Sequence, residues 1–295
     1  MSSHIKELIT MYGAIEAGGT KFVCAVSNEA LEVVARVSIP TEAPEVTMQA
    51  VYEFFDQYEL TSMGVGSFGP IDVNEASPTY GYITSTPKLK WQHVNLLGML
   101  KERYNIPIGW TTDVNAAAYG ELTFGAAKNK QNCVYLTIGT GVGGGGVING
   151  QLLQGFGHPE MGHIHIKRLE GDTFEGVCPF HKDCVEGLVA GPALEKRTGK
   201  KGVEVAPDDE VWKIQAHYIA QALMTYTLVL SPETIILGGG VMHQEQLFPL
   251  IREAFAELVA GYVAYPDLET YIVPTKLGDN SGIMGCLQLA KEAAQ

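Results

Sequence analysis

The chain predicts an α/β protein of mixed sheets, built as two similar lobes around a cleft, and three observations carry that prediction. Strand-like and helix-like segments alternate along nearly the whole length. A strand–glycine–strand unit, AIEAGGTKFVCAV, is echoed about 120 residues later by CVYLTIGTGVGGGGVI, as if each half opened on the same hairpin. Three glycine clusters each follow an apolar run, the arrangement in which loops from both halves converge on a ligand.

Taken in order, residues 1–10 precede the first strong pattern and read as a frayed or short helical extension. From Gly13 a hairpin turns at Gly18-Gly19, and an amphipathic helix follows in VTMQAVYEFFDQYEL. SMGVGSFGPID is a strand with a glycine-rich exit, and VNLLGMLKERYN is a second helix ending near Pro107. The short strand IGWTTD then leads into a helix through NAAAYGELTF, with Thr112 and Asp113 in its N-cap region. After the second hairpin and a long loop, one helix is predicted over 186–198 and another over about 210–230, with polar GKKGVEVAPDD between them. A buried strand over 234–237 enters Gly238-Gly239-Gly240, a helix spans 244–259, and a strand at 271–274 and a helix from Ser281 close the chain.

At 295 residues and 46% hydrophobic content the chain is large enough for two buried cores. Its formal net charge of −13 leaves no basic footprint for a nucleic-acid backbone or an anionic membrane surface. No run approaches the roughly 20 apolar residues of a membrane span, and the first residues lack a signal-peptide core. Five cysteines, an odd number with only Cys178 and Cys184 close together, read as reduced thiols plus a metal pair, which predicts a cytoplasmic protein.

The most informative stretch runs from Gly162 to Glu186, where His163 precedes a Cys178-x2-His181-x2-Cys184 triplet. Two thiolates and two imidazoles can close a tetrahedral structural zinc site; on spacing alone His158 and His165 rival His163 as the fourth ligand. Such a site would pin the loop over 158–186 and hold Glu160 and Glu186 ready to grip a polar ligand. The glycine clusters Gly18-Gly19-Thr20-Lys21, Gly139-Thr140-Gly141 and Gly238-Gly239-Gly240 offer close backbone N–H approach to oxyanions, with a hydroxyl and an ammonium added. Three such loops fit a nucleoside triphosphate, although none has the G-x4-G-K-[ST] spacing. Glu16 is either a solvated strand-end carboxylate or a group acting on magnesium through water. Asp113 is either a helix cap or a general base that takes the proton of a sugar hydroxyl attacking a phosphoryl group. Cys24, Cys133 and Cys286, like Trp91, Trp110 and Trp212, are predicted to pack.

Together EAGGTK, DVNAAAYGE, GTGVGGG, EMGH and the loop ending CVEGL resemble the ROK family of sugar kinases and sugar-responsive repressors, over nearly the whole chain from Gly13. The resemblance implies the duplicated ribonuclease-H-like fold of actin and hexokinase. It implies a smaller N-terminal lobe over 1–113, with the last helix (281–295) packed back on it, and a larger lobe over 114–280. It implies ATP with Mg²⁺ and a hexose as substrates and a homodimer as the assembly. Asp113 would be the catalytic base, and Glu160, His163 and Glu186 would contact sugar hydroxyls. Gly18, Gly19, Thr20, Lys21, Gly139, Thr140 and Gly141 would hold phosphate, with Gly239 and Gly240 on the adenosine side. His163 would face both ways, one ring nitrogen on zinc and the other on the sugar.

Three departures bear on the sugar. Glu16 replaces the family's usual Asp. Thr112 stands where glucokinases of the family carry Asn, and PKLKW (87–91) stands where they carry an Asn-Leu-Pro-Gly-Trp run. The metal loop has the Cys-x2-His-x2-Cys form in place of three cysteines. These look like the fructokinase branch and favour D-fructose, phosphorylated on its 6-hydroxyl, over glucose, mannose or N-acetylmannosamine. A sugar-responsive regulator is the non-enzyme alternative; it is disfavoured by the acidic balance and by the few residues before Gly13, too short for a helix-turn-helix module.

Overall fold

The computed structural model describes residues 10–295; the extension predicted for residues 1–10 lies, but for Thr10, outside the described residues. Strands β1 (Tyr12–Ala17), β2 (Lys21–Ser27) and β3 (Val33–Pro40) lead to helix α1 (Pro44–Phe55), β4 (Ser62–Ser67), α2 (Leu96–Tyr104), β5 (Ile108–Thr112) and α3 (Asp113–Phe124). Then come β6 (Cys133–Ile138), β7 (Val142–Ile148), β8 (Gln151–Leu152), α4 (Val185–Val189), α5 (Gly191–Thr198) and α6 (Val211–Leu230). The chain ends with β9 (Thr234–Gly238), α7 (Leu247–Val259), α8 (Leu268–Tyr271), β10 (Ile272–Pro274) and α9 (Ser281–Ala293). None of its described helices is long and apolar enough to cross a membrane.

One expected element is corrected. The single helix predicted over 186–198 is two helices, because Ala190 is extended (φ −63°, ψ 158°) and Pro192, which has no N–H to give, opens the second.

The fold consists of two compact units. The first takes the described chain through Gly120, together with Gln154–His158 and Asn280–Gln295. Its sheet runs β3-β2-β1-β4-β5: β1, β2 and β3 form an antiparallel meander, and β4 and β5 lie parallel to β1. Phe22, Phe55, Trp91 and Leu96 are among the side chains packed fully inside. Helix α9 lies on β4, β1 and β5, and it meets α3 backbone to backbone: a Cβ at Gly285 would land on the carbonyl of Ala116.

The second unit comprises Glu121–Leu153 and Pro159–Asp279. Its sheet runs β10-β9-β6-β7-β8, again an antiparallel three-strand meander (β6, β7, β8) followed by two strands parallel to the first. Helix α6 packs against α7 and α4, and Trp212, Tyr218, Phe255 and Tyr271 fill the core. The two sheets therefore share one topology, so the similarity of the two hairpins extends to whole units.

Candidate active site and metal centre

In the first unit the parallel strands β1, β4 and β5 end together, with Ala17, Ser67 and Thr112 in register. Loops leaving the carboxyl ends of parallel strands are where open α/β sheets place ligands. The turn after β1 is closed by the Gly18 N–H donating to the Lys21 carbonyl at 2.9 Å, and Thr41 braces it from outside, its hydroxyl donating to the Gly18 carbonyl at 2.8 Å. Asp113 follows β5 at the same edge. Thr112 caps α3, its hydroxyl accepting the Asn115 N–H at 3.1 Å, while Asp113 Oδ1 takes the N–H of Val114 at 2.9 Å. The cap is thus provided by the residue before Asp113. Glu16 does not end in bulk solvent: it is half-buried, with its carboxyl against Gly282 in the first turn of α9, where the helix N-terminus favours negative charge.

In the second unit β6, β9 and β10 end together, which brings Gly139-Thr140-Gly141 and Gly239-Gly240 to one edge. Gly139 N–H donates to the Gly141 carbonyl at 2.9 Å, closing a turn one residue tighter than the one after β1, and the Gly139 carbonyl accepts the N–H of Gly191 at 2.7 Å. Gly239 sits at φ +89°, a conformation that suits glycine.

His163, Cys178, His181 and Cys184 form one cluster whose ligand atoms all lie within 4.8 Å of one another. His163 Nδ1 is 3.7 Å from Cys178 Sγ, 3.6 Å from Cys184 Sγ and 3.4 Å from His181 Nδ1. A tetrahedron with metal–sulfur bonds of about 2.3 Å and metal–nitrogen bonds of about 2.0 Å has edges of roughly 3.6 Å and roughly 3.3 Å, so the donor set fits a zinc-sized ion. Burial pushes the Cys184 thiol up to about 11; the Gly187 N–H opposes the rise and the Cys178 sulfur adds to it. Of the rival ligands, His158 lies in the first unit with its Nε2 accepting the Ile71 N–H at 3.0 Å, and His165 falls outside the cluster.

With Nδ1 turned to the cluster, His163 presents Nε2 toward Glu186 Oε1 at 4.0 Å. Glu186 Oε2 accepts the Val142 N–H at 3.0 Å, and a Cβ at Gly141 would lie 2.7 Å from that oxygen. Glu160 belongs to the same loop, its carbonyl accepting the His163 N–H at 3.1 Å. Crowding by protein atoms raises its carboxyl pKa; His163 opposes the rise and the Glu186 charge adds to it.

The sequence reading missed what holds this loop. Helix α6 turns a polar stripe toward it. Tyr226 donates to the Met161 carbonyl at 2.6 Å, Gln221 bonds both backbone groups of Lys167 at 2.8 and 2.9 Å, and the Tyr218 hydroxyl accepts the Leu169 N–H at 3.1 Å while donating to Asp172 at 2.5 Å. Arg197 on α5 pairs with both Asp172 oxygens, at 2.8 and 3.0 Å. Burial raises the Asp172 pKa, but Arg197, Tyr218 and the Phe174 N–H outweigh it and hold the carboxyl well below the usual range. Part of the signal was present: Tyr218 and Gln221, three residues apart, share one face of the helix. Glu121 was also missed. It is fully buried and accepts the N–H groups of Ala126, Lys276 and Leu277 at 2.7, 3.2 and 2.9 Å, tying the segment after β10 to the end of α3. Trp91, Trp110 and Trp212 are buried packing residues, as are Cys24, Cys133 and Cys286; burial, helped by the Glu121 charge, pushes the Cys133 thiol up to about 12.

Residues 12–293 match the model of the ROK family. A fructokinase of Pediococcus pentosaceus is 53% identical over 283 residues, covering 96% of this chain and 98% of that protein. A fructokinase of Lactococcus lactis subsp. cremoris is 49% identical, covering 95% and 96%. Among solved structures, the ROK hexokinase of Thermus thermophilus superposes with a TM-score of 0.79 at 25% identity, covering 95% of this chain and 98% of that one.

Proposed function

The chain belongs to the ROK family, and on that premise we propose that it is an ATP-dependent fructokinase, transferring the terminal phosphoryl group of ATP to the 6-hydroxyl of D-fructose. The observation that carries this reading is the end-to-end similarity to fructokinases, near half of all positions and with no unit left out.

In the reaction the hydroxyl oxygen bonds to the γ-phosphorus, and the bridging P–O bond breaks with its electron pair leaving on ADP. The hydroxyl proton passes to Asp113, our candidate for the general base. Asp113 and the Gly18–Lys21 turn share one sheet edge, which supports assigning both to the phosphoryl-transfer step. Gly18, Gly19, Thr20, Lys21, Gly139, Thr140 and Gly141 are assigned to phosphate and Gly239 with Gly240 to the adenosine side. Backbone N–H groups fixed in tight turns stabilise charge developing on the transferred oxygens without reorganising. Mg²⁺, which accompanies ATP, supplies charge neutralisation when bound, and Glu16 is the carboxylate we place near it.

Glu160, His163 and Glu186 are assigned to the sugar. His163, Cys178, His181 and Cys184 would hold zinc, whose part is structural; the fit of their donor atoms to a tetrahedron supports this. His163 then orients its Nε2 toward the same region as the Glu186 carboxylate. The family resemblance supports a homodimer, and five free cysteines support a cytoplasmic location.

The test is ADP release by the purified protein with fructose, glucose, mannose and N-acetylmannosamine. Fructose is expected to give the highest kcat/KM. No ADP with any of the four from protein that retains its zinc overturns the reading.

A further inference from the structure

Lys88 lies 69 positions beyond Gly19 in the chain, yet its Cε stands 3.4 Å from where a Cβ on Gly19 would be. The lysine's stem therefore lies within van der Waals reach of the turn assigned above to phosphate, and its ammonium is one bond further on. The placement is built into the fold. Lys88 opens a short 3₁₀ turn (Leu89–Trp91), its carbonyl accepting the Trp91 N–H at 2.8 Å and its N–H donating to the buried Thr86 hydroxyl at 3.3 Å. Trp91 is locked beneath by its indole N–H donating to the Glu42 carbonyl at 2.8 Å and by its packing on Phe22 and Phe68. Among the described residues no carboxylate forms an ion pair with Lys88, which is exposed. In a chain of net charge −13 the polyanionic nucleotide meets an unfavourable mean field, so a cation near the turn, added to Lys21, has a local effect that the neutral glycine N–H groups lack.

We propose that Lys88 is a catalytic residue, a second cation that, in addition to Lys21, contacts the transferred phosphoryl group at the Gly18–Gly19 turn. The inference rests on the kinase reading for the identity of the anion. Its ammonium donates to a non-bridging γ-oxygen while the hydroxyl oxygen of the sugar bonds to phosphorus, the electron pair of the broken P–O bond leaves on ADP, and the hydroxyl proton goes to Asp113. Lys88 itself exchanges no proton in the step.

The experiment compares wild type, Lys88→Met and Lys88→Arg by calorimetric titration with the Mg²⁺ complexes of a β,γ-imido ATP analogue and of ADP, and by kcat with fructose. Lys88→Met is expected to weaken the triphosphate analogue by about tenfold, leave ADP within twofold and lower kcat by about 100-fold, the usual effect of removing one transition-state donor. Lys88→Arg should recover part of kcat, which a packing role for the side chain would not explain. Lys88→Met that keeps both triphosphate affinity and kcat within twofold of wild type overturns the proposal, as does an equal loss of affinity for ADP. A wild type that releases no ADP with fructose would overturn the fructokinase reading instead, and the triphosphate-against-diphosphate comparison would then decide Lys88 by itself.

Discussion

Glu186 accepts the backbone N–H of Val142 at 3.0 Å, so one side chain carries the glycine hairpin after β6 and faces the metal-side histidine with its other oxygen. A residue with two such duties should report on both substrates. Glu186→Gln is expected to raise KM for fructose by at least about tenfold, since bonds to a charged acceptor are worth roughly 1.5–3 kcal/mol. It should also raise KM for ATP, less steeply, because a neutral amide oxygen holds the Val142 N–H more weakly. Measuring both constants on one preparation checks this; an unchanged KM for fructose removes Glu186 from the sugar contacts.

Asp113→Ala should lower kcat by about 10²–10⁴-fold, the usual contribution of a positioned general base. Because Thr112 provides the helix cap, the melting temperature should move by only a few degrees and nucleotide affinity should persist. Full turnover by the variant would take Asp113 out of the mechanism.

Cys178→Ser or prolonged chelation should strip zinc, read as metal per chain by mass spectrometry, and lower the melting temperature by several degrees. Cys24→Ser, at a cysteine remote from the cluster, should keep the metal. Chelated protein with unaltered melting and turnover would refute the structural metal.

Acid should reach the sugar contact before it reaches an ordinary glutamate. The Glu160 pKa is raised, so on titrating downward its carboxyl gains a proton above the usual range near about 4.3 and then stops accepting two hydroxyl bonds. KM for fructose is therefore expected to climb as pH falls toward that range, at a higher pH than an ordinary glutamate would give, and Glu160→Gln should flatten that climb. A wild-type KM constant over this interval would count against Glu160 as an acceptor.

Asp172 works in the opposite direction. Its folded pKa is depressed, so its stabilisation is fully present above the unfolded value of about 3.9 and is lost as pH falls below it toward the folded value. Asp172→Asn should destabilise the protein by about 3 kcal/mol at pH 7, because Arg197 is then left largely buried without its partner. Denaturant titrations at pH 7 and pH 3 should show the gap between wild type and variant narrowing in acid.

The two hairpins, the four metal ligands and the strand-to-helix step at Asp113 could be read from the sequence because each is local, set by glycine placement, ligand spacing or capping chemistry. Strand β3 was passed over although Ala35, Val37 and Ile39 alternate inward; it is an edge strand paired with β2, and exposed Val33 and Val34 blur the pattern where it starts. The break at Ala190 was legible in the Gly191-Pro192 pair that follows it, but the reading ran one helix across that signal. Choosing among His158, His163 and His165 required tertiary structure, since spacing permits all three and only the hydrogen bond to Ile71 shows where His158 goes. Glu121 reads as one more helix carboxylate until the folded chain brings three N–H groups from two loops to it.

Helix α9 forms one face of the sheet that begins at Tyr12. That sheet is therefore complete only once residues 281–293 are in place, although its strands are encoded near the start of the chain. A chain that stops before α9 keeps every residue of the second unit but leaves that face of the first sheet bare, exposing apolar surface to chaperones and proteases.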